Sequence, residues 1–387
     1  MRTLKLITNF MLILSIILIA TLAAYGYIEI PAQTAILIEA ETGQVLFEKN
    51  PDEPLPPASI TKIMTLLIAF EALESGQANL DDMVTVSENA FKGGTNESMM
   101  YLNIGQEVSY EDLLKGISIV SANDGCIAIA EHLYGSESAF VSAMNKKAQE
   151  IGLTNSKFQN STGMPAEDHY MSARDIANLS RYFINKFPKI LEYESQRSFT
   201  FQPAGSSTPI TQYNRNPLLG RFDGADGLKT GWTTQAGYCL AGTAQQGDIR
   251  LISAVLKTDS DEERFAASRI LLNHGFNNFL IEDIIEEGEI VDSIPIKNSK
   301  QKYVDIKTTT SASAILSNDT RDKIEKNITI NEDLEAPIPE NTVVGNLQIS
   351  VDGQHISTID LVTTQEATRV NIFVRFFRYL LSLFGIE

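Results

Sequence analysis

The stretch Pro56-Pro57-Ala58-Ser59-Ile60-Thr61-Lys62-Ile63-Met64-Thr65-Leu66-Leu67-Ile68-Ala69-Phe70 constrains the fold more than any other. Paired prolines rule out helix upstream and suit a helix start, because proline fixes φ and lacks an N–H. From Ile60 onward the helix is apolar nearly all round, which marks a buried central helix rather than a surface one. Ser59 and Lys62 nevertheless sit in its first turn. Their spacing of three puts them on one face, side by side. Burial favours the neutral amine of a lysine. A neutral amine beside a hydroxyl is a general base beside a nucleophile. The helix N-terminus adds oriented N–H groups for a developing oxyanion. The plainer alternative is a serine cap and a lysine that snorkels to solvent, and four residues alone do not separate the two.

Two more polar clusters follow. Residues 110–120 read as an amphipathic helix, Ser121-Ala122-Asn123-Asp124-Gly125 interrupts it, and residues 126–134 resume it. Ser121 and Asn123 are thus expected on a polar loop between two helices, where capping is their ordinary use. The third cluster is Asp226-Gly227-Leu228-Lys229-Thr230-Gly231-Trp232-Thr233. Residues 237–243 and 249–257 read as strands, so Lys229-Thr230-Gly231 lies on or just before a sheet strand. Gly231 leaves room for another backbone to approach; a lysine in a surface turn is the alternative. Each signal is weak alone. Together they occur in one order and in fitting contexts: a buried helix start, an inter-helix loop and a sheet strand. Around them, residues 34–39 and 44–48 form a hairpin about Gly43. Asn160-Ser161-Thr162-Gly163-Met164-Pro165 is a turn, and Ser172 caps a helix through Ile184 with Asp175 as its partner.

This ordered set resembles the penicillin-binding proteins and serine β-lactamases, whose signature is Ser-x-x-Lys, Ser-Asp-Asn and Lys-Thr-Gly. The flanking residues are closest to the low-molecular-mass D-alanyl-D-alanine carboxypeptidases. They are Pro57-Ala58-Ser59-Ile60-Thr61-Lys62-Ile63-Met64-Thr65, Ser121-Ala122-Asn123-Asp124-Gly125-Cys126 and Asp226-Gly227-Leu228-Lys229-Thr230-Gly231. Asn160-Ser161-Thr162-Gly163-Met164 and Gly237-Tyr238 belong to the same likeness, which covers residues 30–275 well. Ala122 stands where class A β-lactamases carry Asp, and the chain has no Glu-x-x-Leu-Asn segment. Both departures, and the extra length, favour a carboxypeptidase.

The resemblance implies an α/β catalytic domain of the penicillin-binding/serine β-lactamase type, an antiparallel sheet flanked by helices. It implies acyl transfer from the terminal D-Ala-D-Ala of a peptidoglycan stem peptide, and acylation by β-lactams. Ser59 attacks, Lys62 takes its proton, Ser121 relays a proton to the leaving amine, and Asn123 orients Lys62 or the substrate amide. Lys229 and Thr230 hold the terminal carboxylate, with Gly231 and Trp232 beside them, and the N–H groups of Ser59 and Trp232 form an oxyanion hole. Arg215 is a further candidate near the substrate carboxylate, and Arg264 a candidate to face the site; the simpler expectation for both is a solvated surface position. A DD-endopeptidase, a fast β-lactamase, or a non-hydrolytic penicillin-binding or wall-binding protein are the alternatives.

A chain of 387 residues with 43% hydrophobic and 21% charged residues suits two or three globular domains. A net charge of −18 argues against broad nucleic-acid binding. Two cysteines exclude a disulfide framework, and the four scattered histidines lack metal-site spacing, so no metal or cofactor is expected. Cys126 and Cys239 are expected as buried, unpaired thiols near two of the motifs, and would make the activity sensitive to thiol reagents. Arg2 and Lys5 precede an apolar run over residues 10–24 with small residues at 23, 24 and 26. That pattern is a signal peptide over residues 1–26, or else a retained anchor, and either exports the rest.

The serine peptidase domain is expected over residues 30–278. After Phe279 acidic residues cluster, then short β-type runs follow at 290–296, 303–308, 328–330, 343–350 and 355–362. These predict a small all-β domain over 279–365. Residues 366–387 close the chain. There Thr368, Asn371, Arg375, Arg378 and Ser382 form a narrow polar stripe amid Phe, Leu and Val. A helix from Arg369 to Ile386 would be about 27 Å long. If it spanned a bilayer its arginines would fall at the centre, at high cost. It suits the membrane surface better, a reading the resemblance shares; docking against the β-domain is the alternative. The expected location is the outer face of a bacterial cell membrane.

Overall fold

The computed structural model describes residues 28–93, 98–373 and 376. The expected signal peptide lies outside them. β1 (Thr34–Glu39) and β2 (Val45–Lys49) form the expected hairpin, turned by Gly43 at φ 77°. A turn of 3-10 helix at Ala58–Thr61 runs into α1 (Lys62–Glu74). This start is tighter than the α-helix expected from Ile60. β3 (Met83–Thr85), α2 (Glu88–Gly93) and β4 (Glu107–Ser109) lead to α3 (Tyr110–Val120), α4 (Asn123–Tyr134) and α5 (Glu137–Glu150). α6 (Ala173–Lys186) begins at the expected cap, with Ser172 Oγ accepting from Asp175 N at 3.1 Å. The Asp175 carboxylate accepts instead from Asn155 N and Ser156 Oγ, so it secures the preceding loop.

α7 (Ile190–Glu194), the hairpin of β5 (Ser198–Phe201) and β6 (Ile210–Tyr213), and the strands β7 (Ala225–Thr233), β8 (Gly237–Gln246) and β9 (Ile249–Thr258) follow, then α8 (Asp261–Asn278). The main sheet runs β2-β1-β9-β8-β7 and is antiparallel throughout. Alternation along its strands serves two cores. Ile36, Ile38, Cys239, Ala241, Ile252 and Ala254 join the helical core around α1. Ala35, Leu37, Leu240, Leu251 and Val255 pack with Phe265, Leu271 and Leu272 of α8. All six residues of β1 are therefore buried, because both faces of this inner strand are covered. Residues 63–70 of α1 are buried on every side, among α3, α4, α5 and α6.

The interruption between α3 and α4 is shorter than expected. Ser121 turns in the left-handed region at φ 63°, Ala122 is extended, and Asn123 already begins α4. Asp124, read as part of the turn, accepts from Met100 N, Leu102 N and Gly125 N and so fixes the segment at residues 98–102.

Past α8 come β10 (Leu280–Ile285), β11 (Ile290–Ile294), β12 (Val304–Thr308), β13 (Ala312–Leu316), β14 (Ile324–Ile330), β15 (Val343–Val351) and β16 (Gln354–Thr363). Five of them form a sheet in the order β11-β12-β16-β15-β14, while β10 pairs with β13. Sequence reading passed over β10 and β13, since acidic residues mask the first. Asp283 there accepts from Ser313 Oγ at 2.7 Å, so its charge is satisfied across the strand pair. Near the end of the chain, Arg369 is not helical as expected. It bridges Ser299, and its Nε donates to Ala336 O at 2.6 Å. Helical backbone starts at Ile372. Most of the expected C-terminal helix lies outside the described residues. Among those described, no helix is long and apolar enough to cross a membrane.

Candidate active site

The 3-10 turn, the α3–α4 junction, β7 and the loop at residues 160–164 converge on one cleft of about 70 Å³. Ser59, Ser121, Asn123, Thr230, Gly231 and Trp232 line it, together with Arg215 and Arg264. The close approach has a steric condition. A Cβ on Gly231 would stand 2.7 Å from Pro57 O, and one on Gly163 (φ 85°) 1.9 Å from Ala58 O. Glycine at both positions lets β7 and the loop close on the turn that carries Ser59.

In a 3-10 turn residues i and i+3 eclipse, and Lys62 Nζ duly reaches Ser59 Oγ at 2.8 Å. Ser59 is partly exposed while Lys62 is fully buried. Nζ also donates to Thr162 O at 2.7 Å. Burial pulls the Lys62 amine down to about 8. The Arg215 charge adds to that fall, and Cys126 and Asp124 oppose it. Thr162 is presented by Asn160, whose Oδ1 accepts from Thr162 N, Thr162 Oγ1 and Gly163 N. The sequence showed a turn here, but not that its carbonyl is the second partner of Lys62.

Ser121 and Asn123 are buried at the cleft wall, and Ser121 Oγ and Asn123 Oδ1 have no hydrogen-bond partner among the described residues. Such orphaned polar atoms in a cleft suit an absent ligand. The third motif divides between cleft and interior. Thr230 reaches the cleft, whereas Lys229 is buried behind it, 3% exposed, with a long contact of 3.4 Å to Thr230 O. Trp232 stands at the rim, 43% exposed, its ring 5.9 Å from that of Tyr238.

Arg215 is exposed, as expected, yet lines the cleft, whereas Arg264 departs from a surface position. Arg215 crosses the cleft mouth and donates from Nη1 to Ser98 Oγ at 3.1 Å. Arg264 is buried; it donates to Gly231 O at 3.1 Å, pairs with Asp261 and packs on the Tyr238 ring. It braces β7 from within, which its acidic sequence neighbours did not reveal. Cys126 and Cys239 are buried and unpaired as expected, but burial pushes their thiols up to about 12 and about 11. Neither is a ready thiolate, so the expected sensitivity to thiol reagents loses its physical basis.

Comparison with known proteins bears on these features. A family model described as D-alanyl-D-alanine carboxypeptidase matches residues 20–260, and one described as penicillin-binding protein 5, C-terminal domain, matches residues 279–369. The D-alanyl-D-alanine carboxypeptidase DacF of Bacillus subtilis is 35% identical over 90% of this chain and 88% of its own. The crystal structure of penicillin binding protein 5 from Haemophilus influenzae superposes with a TM-score of 0.77 at 32% identity, covering 88% of this chain and 99% of that one. Penicillin-binding protein D2 of Listeria monocytogenes, solved in an ampicillin-bound form, gives a TM-score of 0.58 at 29% identity over 64% of this chain and 98% of its own.

Proposed function

The chain belongs to the D-alanyl-D-alanine carboxypeptidase family of serine hydrolases, and from that premise we propose that Ser59 is the nucleophile and Lys62 its general base. The protein is a D-Ala-D-Ala carboxypeptidase of peptidoglycan metabolism that also binds β-lactams. The observation that carries the residue assignment is the buried Lys62 amine, 2.8 Å from Ser59 Oγ and 2.7 Å from Thr162 O. In the amine form, Lys62 keeps an N–H for the Thr162 carbonyl and turns its lone pair to the serine proton.

Ser59 Oγ attacks the carbonyl of the penultimate D-Ala, and the oxyanion forms against the N–H groups of Ser59 and Trp232. Ser121 passes a proton to the leaving amine of the terminal D-Ala. Asn123 holds the substrate amide. β7 is an edge strand, so its open side can take an extended peptide as a further strand. Thr230, with the charge of Lys229 behind it and Arg215 across the mouth, holds the terminal carboxylate. Water then cleaves the acyl-enzyme. A β-lactam presents the same carbonyl and carboxylate, and leaves its adduct on Ser59.

The protein is exported and held at the membrane surface by its last residues. Exposed Ile372, Phe373 and Phe376, and the polar stripe of the sequence from Thr368 to Ser382, support this reading.

The decisive test uses the full-length chain and a synthetic peptide ending in D-Ala-D-Ala. D-alanine release by the native protein, abolished in Ser59→Ala, is the expected result. Absent release from native protein that still forms a penicillin adduct would point to cross-linked peptides as the substrate instead.

A further inference from the structure

α7 ends on Glu194, under the strand that carries Lys229. Glu194 is 1% exposed, and its Cβ lies 3.4 Å from where a side chain on Gly227 would begin. Gly227 and Lys229 are two residues apart on β7, opposite Thr243 and Ala241 of β8, so the end of α7 lies beside the stretch of strand that carries Lys229. A Cβ on Gly227 would meet Glu194, Thr243 and Leu191 at ordinary van der Waals distance, so the end of α7 packs directly on this part of β7. Beside it, Ser118 of α3 is also buried. Neither Ser118 Oγ nor Glu194 Oε2 completes a hydrogen bond among the described residues. The hydroxyl is near enough to favour the ionised carboxyl without a well-formed bond to it. A buried acid, a buried amine and an unsatisfied hydroxyl form a costly cluster, and the reaction as described above leaves the acid unused.

We propose that Glu194 is a positioning residue for Lys229, a buried counter-charge that keeps the amine protonated so that it can hold the carboxylate of the substrate. This rests on the assignment of Lys229 to that carboxylate. Burial drives the Lys229 amine down and the Glu194 carboxyl up, and each partner opposes the shift of the other. The ionisable groups that reach Lys229 are Glu194 of α7, Lys62 of α1, Cys126 of α4 and Arg215 before β7. Lys62 and Arg215 repel its charge. Cys126 holds its proton at neutral pH, since its thiol is pushed up to about 12. Of these four groups Glu194, ionised beside the protonated amine, is therefore the one that can supply a neutralising charge. Without it the amine loses its proton at lower pH, and the carboxylate loses its anchor from the alkaline side first.

The test compares full-length native protein with Glu194→Gln on two peptides, one ending in D-Ala-D-Ala and one in its C-terminal amide, over about pH 6 to 9. The expected result is a KM for the free acid raised about tenfold at the alkaline end and less at the acid end. Its basic limb moves to lower pH, kcat changes little, the amide peptide is unaffected, and Glu194→Asp restores part of the loss. An equal loss on both peptides, or an unmoved basic limb, would make Glu194 structural only and overturn the proposal. Native protein that does not distinguish the peptides would overturn the Lys229 assignment itself, and this inference with it. If Glu194→Gln does not fold, Ser118→Ala should move the limb the same way by less; an unmoved limb there refutes the proposal equally.

Discussion

Lys62 is useful only if it is buried. Water around an ammonium would hold its proton, and the packed side chains of the helical core remove that water. With the amine at about 8, the base form grows with pH and saturates above that value. Acylation by penicillin should therefore rise nearly tenfold per pH unit on the acid side and level off near pH 8. The sign follows from the role, because protonation of Lys62 removes the base and a fall in pH slows the reaction. Lys62→Arg, which stays protonated, should lower acylation by about 10²–10⁴ on the alkaline plateau and remove the rise with pH, so that the loss shrinks on the acid side. Stopped-flow acylation against pH checks both, and a flat native profile would remove Lys62 from the role of base. Cys126, by contrast, is equally buried and is given no step in the proposed reaction. Its protonated thiol packs in the helical core.

Among the elements, the loop at residues 160–164 has a larger part than its short turn suggests. It carries the Thr162 carbonyl to Lys62, the Ser161 carbonyl to Thr65 Oγ1, and Gly163 to the Ser59 turn. Glu137 at the start of α5 secures it by accepting from Ser161 N and Oγ. Gly163→Ala would meet Ala58 O and adopt a left-handed backbone, at a cost of about 2–4 kcal/mol. Because the strain falls on the turn that presents Ser59, acylation should fall more than a loss of stability alone explains. Thermal melting and the acylation rate, measured on the same sample below the melting transition, test this. A lower melting temperature with an unchanged rate would show that the loop supports the fold but not the site.

Taken whole, the molecule joins its catalytic sheet directly to its β-rich part. Gln44 of the first hairpin is buried and accepts from Ile315 N through Oε1 at 3.1 Å, while Val45 N donates to Gln354 Oε1. Ile315 also packs into the core beneath α8. The β-rich part is thus held against the catalytic sheet, on the side of β2, whereas the cleft opens at β7 on the other edge. The last described residues leave that β-rich part with exposed Ile372, Phe373 and Phe376. Removing residues from Ile372 onward spares the Arg369 contacts to Ala336 and Glu335. Such a chain should keep full carboxypeptidase activity and lose its sedimentation with anionic vesicles. A truncated chain that still sediments would defeat the membrane-surface reading.

Periodicity and turn chemistry act within a few residues, and what they control was legible in the chain alone. The apolar run of α1, the hairpin about Gly43, the Ser172 cap and most strands of the second sheet could be read directly. So could the three motifs, since each is local and their order in the chain is visible. Local rules also placed Lys229 and Thr230 on opposite faces of a strand. They could not say that Thr230 and Gly231 line the cleft while Lys229 is covered. That depends on which segments pack on each side of β7, and those segments are far away in sequence. The partners that decide the chemistry are of this kind: Thr162 for Lys62, Ser98 for Arg215, Gly231 for Arg264 and Glu194 beneath Lys229. Desolvation, too, is a property of everything surrounding a group. The chain alone determined which functional groups the protein owns, and only the packing decided which of them lose water, and therefore which act as base, anchor or brace.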